Sequence, residues 1–162
     1  MNPASPPSAT PSALISIEPE LGSDEVQELF NQLAISGERH APPRNYRPLN
    51  LVMRDGEGII RGGLLGSIAW DWLQIDLLWV EETFRGHGFG RELLELAEAC
   101  ALNEECRYAR LDSFDFGAIP LYEKLGYVIY GSLEGFPAGH TQYFLRKTLG
   151  PPASQSDVTK VV

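Results

Sequence analysis

A mixed α+β fold, with one largely antiparallel sheet flanked by helices, follows from three observations. Apolar, β-prone segments come first, at Leu49–Met53, Gly58–Trp70 and Trp72–Val80. Their links near Asp55-Gly56 and Asp71 are short enough for an antiparallel meander. At Gly90 the apolar spacing then changes from the strand period to the helix period.

Taken in order, Ala13–Ile17 reads as a first strand, and Ser23–Phe30 as a helix with Ser23 as N-cap and acidic residues in its first turn. The apolar stripe of that helix is Val26, Leu29, Phe30 and Leu33. Gly37–Pro48 fits neither period and reads as loop or broken helix. After the meander, Leu93, Leu94, Ala97, Cys100 and Ala101 mark a helix, Tyr108–Leu111 a strand and Gly117–Leu125 a short helix. Two strands follow, near Tyr127–Ser132 and Thr141–Leu149.

The 162 residues suit one compact domain, expected over residues 13–149. Residues 1–12 and 150–162, rich in Pro, Ser and Ala, read as flexible tails that bury too little apolar surface to offset the entropy of ordering.

Thirteen Lys and Arg against 22 Asp and Glu give a net charge of -9, which argues against a nucleic-acid surface. Such a balance attracts cationic small molecules, and it equally serves solubility. Cys100 and Cys106 fall at a helix end and the next turn, suggesting free thiols and a reducing, cytoplasmic setting. No apolar run approaches the roughly 18 residues of a membrane span, and Met1–Ser12 lacks signal-peptide regions, so neither membrane nor export is expected. No cluster has zinc-ligand spacing and no nucleophile elbow is present, so neither a metal nor a covalent acyl-enzyme is expected.

The most informative segment is Leu77–Arg91, where an apolar strand runs through a glycine-rich turn directly into a helix. The first amides of a helix lack internal partners and sit at the positive end of its dipole, so an anion fits there. Glycine lets the backbone approach a phosphate without a Cβ clash. Gly86, Gly88 and Gly90 match neither Gly-x-Gly-x-x-Gly nor Gly-x-x-x-x-Gly-Lys. Arg85, Gly88 and Gly90 do match Arg/Gln-x-x-Gly-x-Gly/Ala, and Ile119–Tyr127 resembles Leu-Tyr-Glu-Lys-x-Gly-Phe. Together these segments resemble the GNAT superfamily of N-acetyltransferases, over approximately Leu49–Lys147 and most specifically over Trp72–Tyr127.

The resemblance implies acetyl-CoA as cosubstrate, its pyrophosphate cradled by Arg85, Gly86, His87, Gly88, Phe89, Gly90 and Arg91. It assigns Trp79 and Val80 as backbone contacts on a strand that splays from its neighbour, with the Val80 N–H as oxyanion donor. Tyr122 stands where relatives protonate the departing sulfur, and its phenol is protonated at neutral pH. Many relatives carry Asn where Asp115 stands here; an acid there either repels phosphate or faces the acceptor amine.

For the base, Asp76 interrupts the apolar strand four residues before Val80, hence on the same face, where burial would raise its pKa. A solvent-facing or salt-bridged Asp76 is the competing account, with proton transfer by water relay. Glu81 and Glu82 are alternatives, and His40 and His140 lie in polar segments able to border the acceptor. Tyr46, Trp70 and Trp72 form either an aromatic wall or ordinary core.

The expected reaction is direct acetyl transfer to the amine of a small molecule in a ternary complex. A catalytically silent acyl-CoA-binding module and a protein N-acetyltransferase are the alternatives. Family members that pair through sheet edges make a homodimer the expected assembly.

Overall fold

The computed structural model describes residues 12–150, with the side chain of Glu38 set aside. Apart from Ser12 and Gly150, the expected tails lie outside the described residues. The chain divides into two compact units between His40 and Ala41.

In the N-terminal unit, helix α1 spans Ser23–Glu38, longer than its sequence suggested. Its N-cap is Gly22, not Ser23: the Glu25 carboxylate reaches back to accept the Gly22 N–H at 3.0 Å, making Ser23 the first helical residue. The stripe residues Val26, Leu29, Phe30 and Leu33 are all exposed. Ala13–Ile17 is not a strand; the segment is irregular and exposed, because alternation alone does not hold a strand that pairs with nothing.

The second unit is a six-stranded sheet. Strands β1 (Arg47–Arg54), β2 (Ile60–Ala69) and β3 (Trp72–Val80) form the predicted antiparallel meander. A 3-10 turn at Glu82–Phe84 leads to the glycine loop and helix α2 (Phe89–Asn103). Strand β4 (Tyr108–Phe114), helix α3 (Ile119–Lys124), and strands β5 (Val128–Glu134) and β6 (Thr141–Thr148) complete it. The strand order is β1-β2-β3-β4-β6-β5, and β3 with β4 is its single parallel pair.

The core lies between the sheet and α2. Leu93, Leu94, Ala97 and Ala101 recur at helical spacing and meet Leu64, Ile68, Leu73, Ile75, Ala109, Leu111 and Leu145 from four strands. Burying each such large side chain contributes about 1.5–3 kcal/mol. Cys106 belongs to this core and Cys100 is half-buried, both as free thiols. Among the described residues no helix is long and apolar enough to cross a membrane, and no group of acidic, His and Cys side chains could hold a metal ion.

Two irregularities in β3 shape the functional edge. Leu65 pairs with Leu77 and Gly66 with Ile75, so Asp76 is an extra residue, a β-bulge. Gly66 is required opposite the bulge, since a Cβ there would collide with the carbonyl oxygen of Gln74. Beyond the bulge, β3 also leaves β4: the parallel pairing covers only Trp72–Ile75 against Tyr108–Leu111. The strands therefore splay from Asp76 to Val80.

Candidate active site

Because β3 and β4 run parallel, their C-terminal ends share one edge of the sheet. The hairpin between β5 and β6 opens at that edge too, since Phe114 pairs with Gln142 and Glu134 with Thr141.

At the end of β3, Gly86 (φ 78) and Gly88 (φ 92) hold left-handed backbone that other residues rarely adopt. Gly88 is the N-cap of α2, leaving the amides of Phe89, Gly90 and Arg91 without helical acceptors. The space where a Cβ would stand on Gly86 or Gly88 is open, so the loop presents bare backbone to an anion. Gly90 packs inward, where a Cβ would lie 3.5 Å from Leu121 Cδ2. The loop fits the pyrophosphate implied by its sequence.

The loop's side chains brace it. Arg85 donates through Nε to the Val80 carbonyl at 2.9 Å, which turns it toward the strand end and not outward to phosphate. His87 Nδ1 lies 2.9 Å from the carbonyl oxygen of Arg85, so that nitrogen carries the proton, and the ring serves the loop's own backbone. Phe89 stands 6.1 Å from Phe84, and Arg91 makes an exposed, loose 3.9 Å pair with Glu95 that is worth little.

The Glu81 N–H donates to the Arg61 carbonyl at 2.8 Å. Ladder alternation then turns the amide of Val80 away from β2 and into the splay, where β4 no longer pairs with it. Trp79, one residue earlier, is 44% exposed on the opposite face of the strand. Glu81 is no candidate base: its carboxylate is 2.7 Å from Arg61, whose guanidinium holds it below the usual range, with help from Thr83. Glu82 is exposed in the 3-10 turn.

Tyr122 is buried on α3, its ring 6.0 Å from that of Tyr127. Burial, and secondarily the nearby charge of Asp112, raises its pKa above the ordinary tyrosine value. The helix enters through Pro120 and ends at Gly126 (φ 90), while Ile119, Leu121, Leu125 and Tyr127 of the 119–127 motif pack into or against the core.

Asp76 corrects a face assignment. Without the bulge, four residues would return it to the face of Val80; the extra residue breaks that parity. Leu73, Ile75, Leu78 and Val80 face the core, whereas Asp76 is exposed on the other side of the sheet, so the expected burial does not occur. There it lines a cavity of about 640 Å³ with Arg44, Tyr46, Trp70, Trp72, Gln74, Arg110, Tyr130 and Arg146. Tyr46, Trp70 and Trp72 thus form a wall and not core: Tyr46 and Trp70 are more than half exposed, and Trp72 stacks on Tyr108 at 4.8 Å.

Asp115 is engaged by the β5–β6 hairpin. One carboxylate oxygen lies 2.9 Å from His140 Nδ1 and the other accepts the Thr141 N–H at 3.1 Å. Both oxygens therefore hold the loop that starts β6, which leaves Asp115 poorly placed as a free contact to cofactor. Phe116 meets the edge of the His140 ring at 4.9 Å. His40 belongs to the N-terminal unit.

The sequence matches the Acetyltransferase (GNAT) family over residues 13–127. The chain belongs to this family. The acetyltransferase is 38% identical over 120 residues to the blasticidin-S acetyltransferase of Streptomyces morookaense, covering 72% of this chain and 88% of that one. An acetyltransferase of Agrobacterium fabrum is 36% identical over 101 residues, covering 62% of this chain and 74% of that one. The crystal structure of an acetyltransferase from Bacillus cereus superposes with a TM-score of 0.72 at 34% identity, over 83% of this chain and 97% of that one. The expected fold class and the acyl-CoA-dependent acetyltransferase activity therefore stand.

Arg44, Gln74, Arg110, Tyr130 and Arg146 also line the cavity of the acetyltransferase, without a motif that marks them one by one. Strand alternation was the available signal for Arg110 and Arg146, but their meeting requires the pairing of β4 with β6. The link between Asp115 and His140 had no local signal, being 25 positions apart.

Proposed function

We propose that this enzyme transfers an acetyl group from acetyl-CoA directly to the amine of a small molecule seated in the Asp76 cavity. The observation that carries this reading is the splay. Pairing of β3 with β4 ends at Ile75 and Leu111, so the strands part ahead of the glycine loop, and Asp76, where they part, lines the cavity. A cavity of about 640 Å³ has the size of a small-molecule site. The relative named for acetylating blasticidin-S supports the same acceptor class.

In this reading the amides of Phe89, Gly90 and Arg91 hold the pyrophosphate. Acetyl-CoA supplies the acetyl group on a thioester; its C–S bond breaks as the new C–N bond forms. The Val80 N–H, aimed into the splay, stabilises the negative charge that develops on the carbonyl oxygen. Asp76 accepts the proton that the amine sheds, directly or through one water. Tyr122, kept protonated by burial, gives its proton to the leaving sulfur and is reprotonated from solvent. Asp115 and His140 hold the hairpin loop at the sheet edge where β4 ends.

The test is thiol release from acetyl-CoA over a panel of primary amines that includes blasticidin S. Tyr122→Phe is expected to lower kcat about 100-fold with little change in KM for acetyl-CoA, and Asp76→Asn to lower kcat/KM for the amine similarly. Wild-type rates in both variants would remove these residues from the chemistry. Acetyl-CoA binding without turnover on any amine would replace the enzyme reading by that of a binding module.

A further inference from the structure

Arg44, Arg110 and Arg146 converge on one cavity in a chain whose net charge is -9. Among the described residues, none of the three enters an ion pair, although Arg47, Arg61, Arg91 and Arg107 all do. Nor are they scattered. Arg110 and Arg146 are register partners on adjacent antiparallel strands, directly opposite each other on the cavity face. Like charges in that position repel, and the next acid on that face of β4, Asp112, accepts instead from the Gln142 amide. Gln74, the register partner of Arg110 on its other side, extends the row with a neutral hydrogen-bonding amide.

The surroundings orient two of these cations. The Arg146 guanidinium lies 5.8 Å from the Tyr130 ring, and that of Arg44 lies 5.0 Å from Tyr46 and 6.0 Å from Trp70. Trp70 is itself pinned, its indole N–H donating to the Pro42 carbonyl at 2.9 Å and its backbone held at φ 54. Stacked guanidiniums lose little freedom when they close on a planar oxyanion. Asp76 is the single acid in the lining, two residues from Gln74 along β3. Gln74 pairs with Arg110, and Asp76 follows two residues along β3, where the strand parts from β4.

We infer that the acceptor is an amine that also carries an anionic group, a carboxylate or a phosphate, bound by Arg110 and Arg146 while its amine lies at Asp76. The aromatic wall of Trp70, Trp72 and Tyr46 covers the body that joins the two. This inference rests on the acetyl-transfer reading of the cavity and narrows its acceptor class.

Matched pairs of amines separate the two. Amino acids, para-aminomethylbenzoate and phosphoethanolamine are compared with their methyl esters or, for the last, ethanolamine, by thiol release and by quenching of tryptophan fluorescence. The wild type is expected to favour the anionic member of at least one pair more than 10-fold in kcat/KM. In Arg110→Gln/Arg146→Gln that ratio falls toward one, and in Arg107→Gln, outside the cavity, it stays. Preference for carboxylates or for the phosphate identifies which anion is read. Equal rates within every pair, or a ratio that survives the double substitution, would overturn the inference. If no amine is acetylated, the acetyl-transfer reading fails, and the quenching titrations still decide. Anion-dependent quenching lost in the double variant upholds an anion site, and quenching indifferent to the anion rejects it.

Discussion

Arg85 donates through Nε to the carbonyl oxygen of Val80 at 2.9 Å, tying the first residue of the glycine loop to the last residue of the strand that feeds it. The bond spans five residues and fixes where the loop's amides point relative to the splay. Arg85→Met keeps the stem but removes this clamp. Its expected effect is a KM for acetyl-CoA raised about 10-fold, equivalent to about 1.4 kcal/mol of a charge-assisted hydrogen bond, with kcat nearly unchanged. Steady-state kinetics at saturating amine check it.

Gly88 and Gly90 respond differently to the same methyl group. At Gly88 a Cβ meets nothing, but φ 92 is strained for any L residue, so Gly88→Ala costs about 1 kcal/mol and weakens acetyl-CoA binding. At Gly90 the Cβ makes ordinary contact with Leu121, so Gly90→Ala gains about 0.5 kcal/mol and keeps binding. Gly88→Glu, which adds a carboxylate to the anion loop, abolishes binding. Denaturant unfolding and calorimetric titration of acetyl-CoA read out all three.

Lys147 lies 2.5 Å from Glu98 Oε2 across the core-facing side of β6 and α2, and the buried Glu98 Oε1 accepts no hydrogen bond. Lys147→Met leaves a buried carboxylate unpaired and is expected to cost about 3 kcal/mol; adding Glu98→Met recovers most of it. Urea midpoints of the two variants and the wild type form the test.

Alkali is expected to unfold the protein through its buried phenols. Burial raises the pKa of both Tyr122 and Tyr127 above the ordinary 10.0. Above about pH 10 the unfolded chain has therefore lost protons that the folded chain retains, and stability falls as pH rises. Stability from these groups is fully present at neutral pH. The urea midpoint should be flat with respect to tyrosine ionisation up to about pH 10 and then decline. Tyr127→Phe should show a shallower alkaline decline. At pH 7 the same variant is expected to change stability by about 1 kcal/mol, since the buried hydroxyl it removes lies beside the Glu98 carboxylate.

Much of the second unit was legible because its strands alternate over most of their length and Phe89–Ala101 holds the helix period over several turns. The glycine loop and Tyr122 were legible because their spacing is local. Asp76 was placed on the wrong face because parity counting presumes an unbroken strand; Gly66, a glycine inside a neighbouring strand, was the overlooked sign of a bulge. Ala13–Ile17 failed for the opposite reason, since its alternation is local and a strand requires a partner. Arg110 and Arg146 stand 36 positions apart in sequence and become neighbours only through the pairing of β4 with β6.

The bulge also makes Asp76 the one residue of β3 that is surplus to the hydrophobic pattern. Excising it altogether, rather than substituting it, leaves Leu73, Ile75, Leu78 and Val80 on the core side and Trp72, Gln74, Leu77 and Trp79 on the other. The shortened strand alternates without interruption and has no built-in reason to turn away from β4. Excision is therefore expected to lengthen the pairing of β3 with β4 and to narrow the opening at which the two substrates would meet.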